Sequence, residues 1–170
     1  MKTILYASLT ANGHVVRSGP DHEIPPEVLT DFIGQVRQHR NLVVGRRTFD
    51  LVSAGGGGGG GAFAGVEVVV LSRHAPAPRG GYVVVASPAD ALRHLADRGH
   101  HTALLGGGAT TNNAFLAEDL VDECYLNVAP ALTGNGGGMA LPAGRHAALH
   151  LLDVRRLGGD IVQLHHRVAR

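Results

Sequence analysis

The chain has 170 residues, 44% of them hydrophobic and 17% charged, which fits one compact domain with a sizeable core and excludes wholesale disorder. A formal net charge of +1 leaves no broad basic face for nucleic acid, and scarce aromatics with no Trp remove the usual base-stacking platforms. A single cysteine, Cys124, excludes an internal disulfide and fits a reducing compartment such as the cytoplasm, while no apolar run is long enough to span a membrane.

In chain order, the apolar run TILYASL (3–9) is short and is followed by polar residues and a turn, so it reads as a first strand rather than a signal peptide. PPEVLTDFIGQVRQH (25–39) starts with proline, carries acid early and base late, and predicts a helix. NLVVG (41–45) is a second strand and RTFDLVS (47–53) a short helix. Residues 55–61 are seven consecutive glycines, which cannot pack a core and read as a flexible surface loop. No Lys-Ser/Thr pair follows them, so they are not a phosphate-binding P-loop.

VEVVVLS (66–72) and GYVVVAS (81–87) are further strands, rich in β-branched residues. SPADALRHLADRG (87–99) is a helix with Ser87 as N-cap and Gly99 as its stop. TALLG (102–106) runs directly into Gly106-Gly107-Gly108, and the helix-like ATTNNAFLAEDLVD follows at once. ECYLNVA (123–129) is a sixth strand, in which Cys124 is expected to be a small buried residue. Thr133-Gly134-Asn135-Gly136-Gly137-Gly138 is a second glycine-rich loop, and residues 146–170 read as a hairpin turning at Leu157-Gly158-Gly159-Asp160. Continuous apolar strands alternating with helices predict an α/β fold: a mixed, mostly parallel sheet with an antiparallel edge, helices on both faces, over residues 1–170 as one domain.

Three strand ends carry chemistry. Adjacent glycines at 106–108 let backbone approach a ligand closely, and the free N–H groups of the next helix favour an anion. Gly45-Arg46-Arg47-Thr48 places two guanidinium groups and a hydroxyl at another strand-to-helix junction, suited to phosphate. Leu71-Ser72-Arg73 ends a third strand, where a Ser-Arg pair can clamp a ribose 2′-phosphate. In a parallel sheet the carboxyl ends share one edge, where open α/β sheets bind ligands. Eleven histidines include the pairs His100-His101 and His165-His166, but no HExxH or Cys/His grouping predicts a metal, and no zinc-deaminase signature is present.

NLVVGRRTFDLV, VVVLSR and ALLGGGATTNNAFL, in that order, resemble the strand–turn–helix, adenosine-phosphate strand and glycine turn of dihydrofolate reductases. LVDECYLNVAPALTGNGGGMALP is more similar to the reductase domain of bacterial riboflavin biosynthesis. This resemblance implies the dihydrofolate-reductase-like three-layer fold, an NADPH cofactor and hydride transfer to a small heterocycle, carbonyl or imine. It implies that Ala7 contacts nicotinamide through backbone and that Gly45, Arg46, Arg47 and Thr48 lie along the pyrophosphate. Leu71, Ser72 and Arg73 would hold the adenosine end, and Gly106, Gly107, Gly108, Ala109 and Thr110 would cover phosphates and ribose. It further implies a cis Gly106–Gly107 peptide and a homodimer with ALTGNGGG near the contact.

The chain departs from dihydrofolate reductases at the substrate end. Their helix carboxylate has two candidates here, Glu27 and Asp31, four apart on one helix face, and spacing from Gly45 matches neither. Between Arg47 and Arg73 there is no Lys or Arg to hold a folate tail, which points to a smaller, less acidic substrate. Asn127 on the sixth strand either faces the substrate pocket or is an outward polar residue. Two classes of function are therefore open: an NADPH-dependent reductase, or a non-catalytic nucleotide-binding or scaffold protein on the same fold.

Overall fold

The computed structural model describes residues 1–16, 24–52, 63–73, 81–134 and 137–169. The elements run β1 (Lys2–Thr10), α1 (Pro26–His39), β2 (Asn41–Gly45), α2 (Arg46–Val52), β3 (Glu67–Leu71), β4 (Tyr82–Val85), α3 (Pro88–Asp97), β5 (Thr102–Leu105), α4 (Ala109–Ala117), β6 (Glu123–Ala129), β7 (Leu149–Gly158) and β8 (Ile161–Val168). They build one eight-stranded sheet in the order β4-β3-β2-β5-β1-β6-β8-β7. The first six strands of that order are parallel, while β8 runs antiparallel to both β6 and β7. This is the expected three-layer α/β architecture.

Local signals explain the helices. Pro26 and Glu27 open α1, Arg37 and His39 close it, and Arg40 ends it with φ +55° while its N–H bonds the Val36 carbonyl. Ser87 caps α3 by accepting the Asp90 N–H at 3.1 Å. The central strands alternate between two cores. Ile4, Tyr6, Leu42 and Val44 meet Val28, Phe32 and Val36 of α1 and Phe49 of α2. Leu5, Ala7, Val43 and Leu105 meet Ala91 and Leu95 of α3 and Phe115 of α4. Hence α1 and α2 cover one face and α3 and α4 the other.

Two expectations are corrected. The last helix does not run through residue 122: it stops at Ala117, because Asp119 takes φ +56° and the chain then turns so that the Asp122 N–H reaches the Thr3 carbonyl at 3.0 Å. The cis peptide lies at Gly107–Gly108, one residue beyond the expected Gly106–Gly107. The Gly106 N–H still bonds the Val43 carbonyl at 2.9 Å, so Gly106 continues the β5 line and the reversal begins after it. The seven-glycine run lies outside the described residues.

The terminal hairpin turns at Gly158-Gly159, both with positive φ. Its outer strand β7 is a sheet edge, along which Leu149, Leu151, Leu152 and Val154 are about half exposed (45–57%).

Candidate functional site

The carboxyl ends of β3, β2 and β5 form one rim. Gly45 pairs in register with Leu71, and Val43 with Leu105. The turns beyond them are bonded together: the Gly45 N–H donates to the Gly107 carbonyl at 2.9 Å, and the Gly108 N–H to Thr48 Oγ1 at 3.0 Å. Thr48 therefore ties the arginine turn to the glycine turn. The glycines are sterically required: a Cβ on Gly45 would run into Thr111 Oγ1, and one on Gly106 would lie 2.6 Å from Leu42 Cδ1 and 2.9 Å from Phe32 Cζ.

Guanidinium groups flank this backbone. Arg46 Nε bonds the Asp50 carboxylate at 2.8 Å, an i,i+4 pair that engages part of its fork. Arg47 and Arg73 are exposed. The Ser72 N–H bonds the Val85 carbonyl at 2.9 Å, holding the end of β3 against β4. Ala109 starts α4 and Thr110 is exposed on its first turn. On its β5 side, β1 is paired at Leu5 with Leu105 and again at Leu9 with Val15, and Ala7 lies in the interval. The glycine-rich loop after β6 folds back here, with Thr133 bonded to Asn12 and the Gly137 carbonyl accepting from Val15.

On the α1 face, next to Ala7 and Ser8, a polar network was only partly visible in the sequence. Asn127 is fully buried, so it is not an outward polar residue. Its Nδ2 bonds the Ala7 carbonyl at 3.3 Å, and its Oδ1 accepts from Gln163 Nε2 at 2.8 Å. Gln163 also donates to Asp31 Oδ2 at 2.8 Å. Asp31 accepts further bonds from Tyr6 Oη at 2.9 Å and from Arg155 at 2.7 Å. Burial, reinforced by the Asp31 carboxylate, raises the Tyr6 hydroxyl well above the usual phenol range.

Asp31 and Asn127 thus share one chain of hydrogen bonds through Gln163. Glu27 does not join it: it is exposed and packs against the hairpin turn, where a Cβ on Gly158 would lie 2.7 Å from its Cγ. An open cleft of about 460 Å³ borders the network, lined by Glu27 and Asp31 of α1 and by Arg155 and Arg156 of β7.

The sequence reading missed Tyr6, Arg155 and Gln163. Tyr6 sits in an apolar strand and reads as core. Gln163 is one of several polar residues in β8, and only the register that sets it opposite Asn127 gives it a role. It also missed Asn112 on α4, which is buried with neither amide atom bonded among the described residues, a cost of about 1–3 kcal/mol for each unmet group. Cys124 is buried as expected, and burial pushes its thiol up to about 11.

The opposite rim, at the amino ends of β2, β3 and β4, carries a larger cleft of about 980 Å³. Several polar groups at this rim are paired with one another or with backbone. Glu67 accepts from His94 at 2.7 Å and approaches Arg98 at 3.5 Å, and the Asn41 amide bonds the His39 and Thr102 carbonyls. Among the described residues no three His, Cys, Asp or Glu side chains gather as a metal site. No described helix is long and apolar enough to cross a membrane.

This sheet order, with its antiparallel terminal hairpin and glycine turn before α4, defines a dihydrofolate-reductase-like fold. Residues 7–163 match the RibD C-terminal domain family, and the chain belongs to that family. No curated protein matches it by sequence. Among solved structures, a protein assigned to riboflavin biosynthesis in Shewanella sp. PV-4 is similar at TM-score 0.76 and 21% identity, covering 100% of both chains. RibD of Acinetobacter baumannii is similar at TM-score 0.76 and 18% identity, over 99% of this chain and 58% of that one. A diaminohydroxyphosphoribosylaminopyrimidine deaminase/5-amino-6-(5-phosphoribosylamino)uracil reductase from Thermotoga maritima follows at TM-score 0.73 and 15% identity, over 99% and 56%. The chain therefore spans little more than half the length of the last two relatives.

Proposed function

We propose that this protein is an NADPH-dependent oxidoreductase that reduces a small heterocycle, carbonyl or imine, of the kind represented by 5-amino-6-(5-phosphoribosylamino)uracil. The observation that carries this reading is the bonded rim: the turns after β2 and β5 joined through Gly45–Gly107 and Thr48–Gly108, with Arg73 on the neighbouring strand end. The residues fit a dinucleotide. Gly45 and Gly106 let the two turns pack closely against Thr111, Leu42 and Phe32, α4 begins immediately after the glycine turn, and Arg47 and Arg73 supply guanidinium groups for phosphate.

In this reading Gly45, Arg46, Arg47 and Thr48 line the pyrophosphate, and Gly106, Gly107, Gly108, Ala109 and Thr110 cover it from the β5 side. Leu71, Ser72 and Arg73 hold the adenosine end, and Ala7 borders the nicotinamide. NADPH, when bound, supplies the hydride. The chain's own task is to align the acceptor and keep water away. Asn127, Gln163 and Arg155 fix the Asp31 carboxylate beside β1, giving the substrate end a fixed pattern of donors and acceptors. Glu27 borders the outer cleft.

Fluorescence titration with NADPH and NADH tests the reading. Wild type binds NADPH more tightly. Arg73→Ala weakens NADPH by about 10–100-fold, the worth of a charge-assisted contact, and leaves NADH unchanged. Equal loss for both cofactors removes the 2′-phosphate role, and a wild type that binds neither favours the scaffold reading. Substrate follows from NADPH consumption against a heterocycle panel. We also propose a homodimer through the half-exposed apolar edge β7, with the 131–138 loop near the contact. Light scattering at dimer mass that falls to monomer mass in Leu151→Asp supports it, and a wild-type monomer refutes it.

A further inference from the structure

Asn112 is the described side chain whose polar atoms are least accounted for. It is 1% exposed, and neither its Oδ1 nor its Nδ2 has a hydrogen-bond partner among the described residues. Thr3 and His166, the other two such residues, each leave a single atom unmatched. Its neighbour Asn113 shows the contrast: that amide donates to the Gly138 carbonyl at 3.5 Å and accepts the Ala140 N–H at 2.9 Å. Asn112 is not needed to cap α4 either, since its own N–H bonds the Gly108 carbonyl within the helix.

The amide points at the glycine turn. Nδ2 is the nearest atom, at 4.0 Å, to the position a Cβ on Gly107 would occupy. A buried donor and acceptor with no protein partner, set against backbone that only glycine can form, call for a ligand group offering both hydrogen-bond senses. Along the rim the order is β3, β2, β5, so Arg73 and the turn that precedes Asn112 lie two strands apart. A dinucleotide whose adenosine end meets Arg73 brings its other half toward Asn112.

Resting on the function proposed above, we propose that the Asn112 carboxamide is a specificity-determining contact for the nicotinamide riboside half of the dinucleotide. It donates one hydrogen bond and accepts one, from the ribose hydroxyls or the nicotinamide carboxamide. Binding would supply the donor and acceptor that the described residues do not offer this amide.

The test is Asn112→Leu, close in size and without polar atoms. Three quantities are measured on the full chain: melting temperature without ligand, and affinity for NADPH and for 2′,5′-ADP, which lacks the nicotinamide half. The melting temperature is expected to stay level or rise, because an unmet buried amide has been removed. NADPH affinity is expected to fall about tenfold or more, the worth of one or two such bonds, with 2′,5′-ADP unchanged.

The 3-acetylpyridine analogue of NADPH, which lacks the amide donor, separates the two ligand groups. Wild type discriminates against it, and the variant does not, only if the carboxamide is the partner. If NADPH binds the variant as tightly as wild type, the inference is overturned while the cofactor assignment stands. A lowered melting temperature with NADPH and 2′,5′-ADP lost together makes Asn112 a core residue and also overturns it. Should Asn112→Leu not fold, Asn112→Ser supplies the same readouts, and failure of both to fold counts against the proposal. A wild type that binds neither NADPH nor NADH removes the function and this contact together.

Discussion

The two rims of one parallel sheet differ in how their polar groups are matched. The amino rim has the larger concavity, about 980 Å³, yet its Glu67, His94, Arg98 and Asn41 bond one another or nearby carbonyls. The carboxyl rim is built differently. It has instead glycines pressed against neighbours, two exposed arginines and a buried amide with no partner. The unmet amide beside the glycine turn is what the proposed dinucleotide would complete.

The sharpest way to break this comparison is Gly45→Ala. Its methyl group must displace Thr111, and with it the junction of the two turns. We expect about 1–3 kcal/mol of destabilisation from overpacking and loss of measurable NADPH binding. A variant that melts and binds as wild type would show that the close approach is incidental.

Asp31→Ala comes next, because it strips an acceptor from Tyr6, Gln163 and Arg155 together. We expect about 1–3 kcal/mol lost in chemical denaturation and a large fall in kcat, with the NADPH dissociation constant little changed. Asp31→Asn separates positioning from proton supply. A kcat that falls without a change in its pH profile assigns Asp31 to positioning, and loss of the fall in kcat with rising pH assigns it the proton.

The smallest effects belong to the amino rim. Glu67→Gln is expected to cost less than about 1 kcal/mol, since the pair is partly solvated, and to leave NADPH binding at the wild-type value. The His94 hydrogen bond holds the Glu67 carboxyl below its ordinary value of 4.5 despite the opposing effect of burial, with Arg98 adding to the lowering. Its stabilising contribution is therefore complete above that value and is lost as pH falls through the lowered one. Wild type and variant should differ in melting temperature at neutral pH and converge in acid. A weakened NADPH titration in Glu67→Gln would place the site on the wrong rim.

Much of the architecture was legible in the residues. Apolar runs marked all six parallel strands, proline and Ser87 marked helix starts, and Gly158-Gly159 marked the final turn, because these are local signals of backbone and burial. That three strand ends share one rim was legible, because parallel strands in one sheet end on one edge. The substrate end was not. Glu27 and Asp31 are equivalent by spacing on α1, and only packing against β7 and β8 separates them, bringing Asp31 to Arg155 and Gln163 and leaving Glu27 at the hairpin.

Sequence alone thus determined the order of elements, the shared edge of the strand ends and the absence of an internal disulfide, since each depends on short-range pattern or residue count. Tertiary structure alone decided where the peptide reverses at Gly107–Gly108, that Asn127 turns inward to Gln163, and that Asn112 is buried without a hydrogen-bond partner among the described residues. Hydrogen-bond satisfaction is a property of neighbours brought together across 36 residues in one case and 132 in another, and no local pattern encodes it.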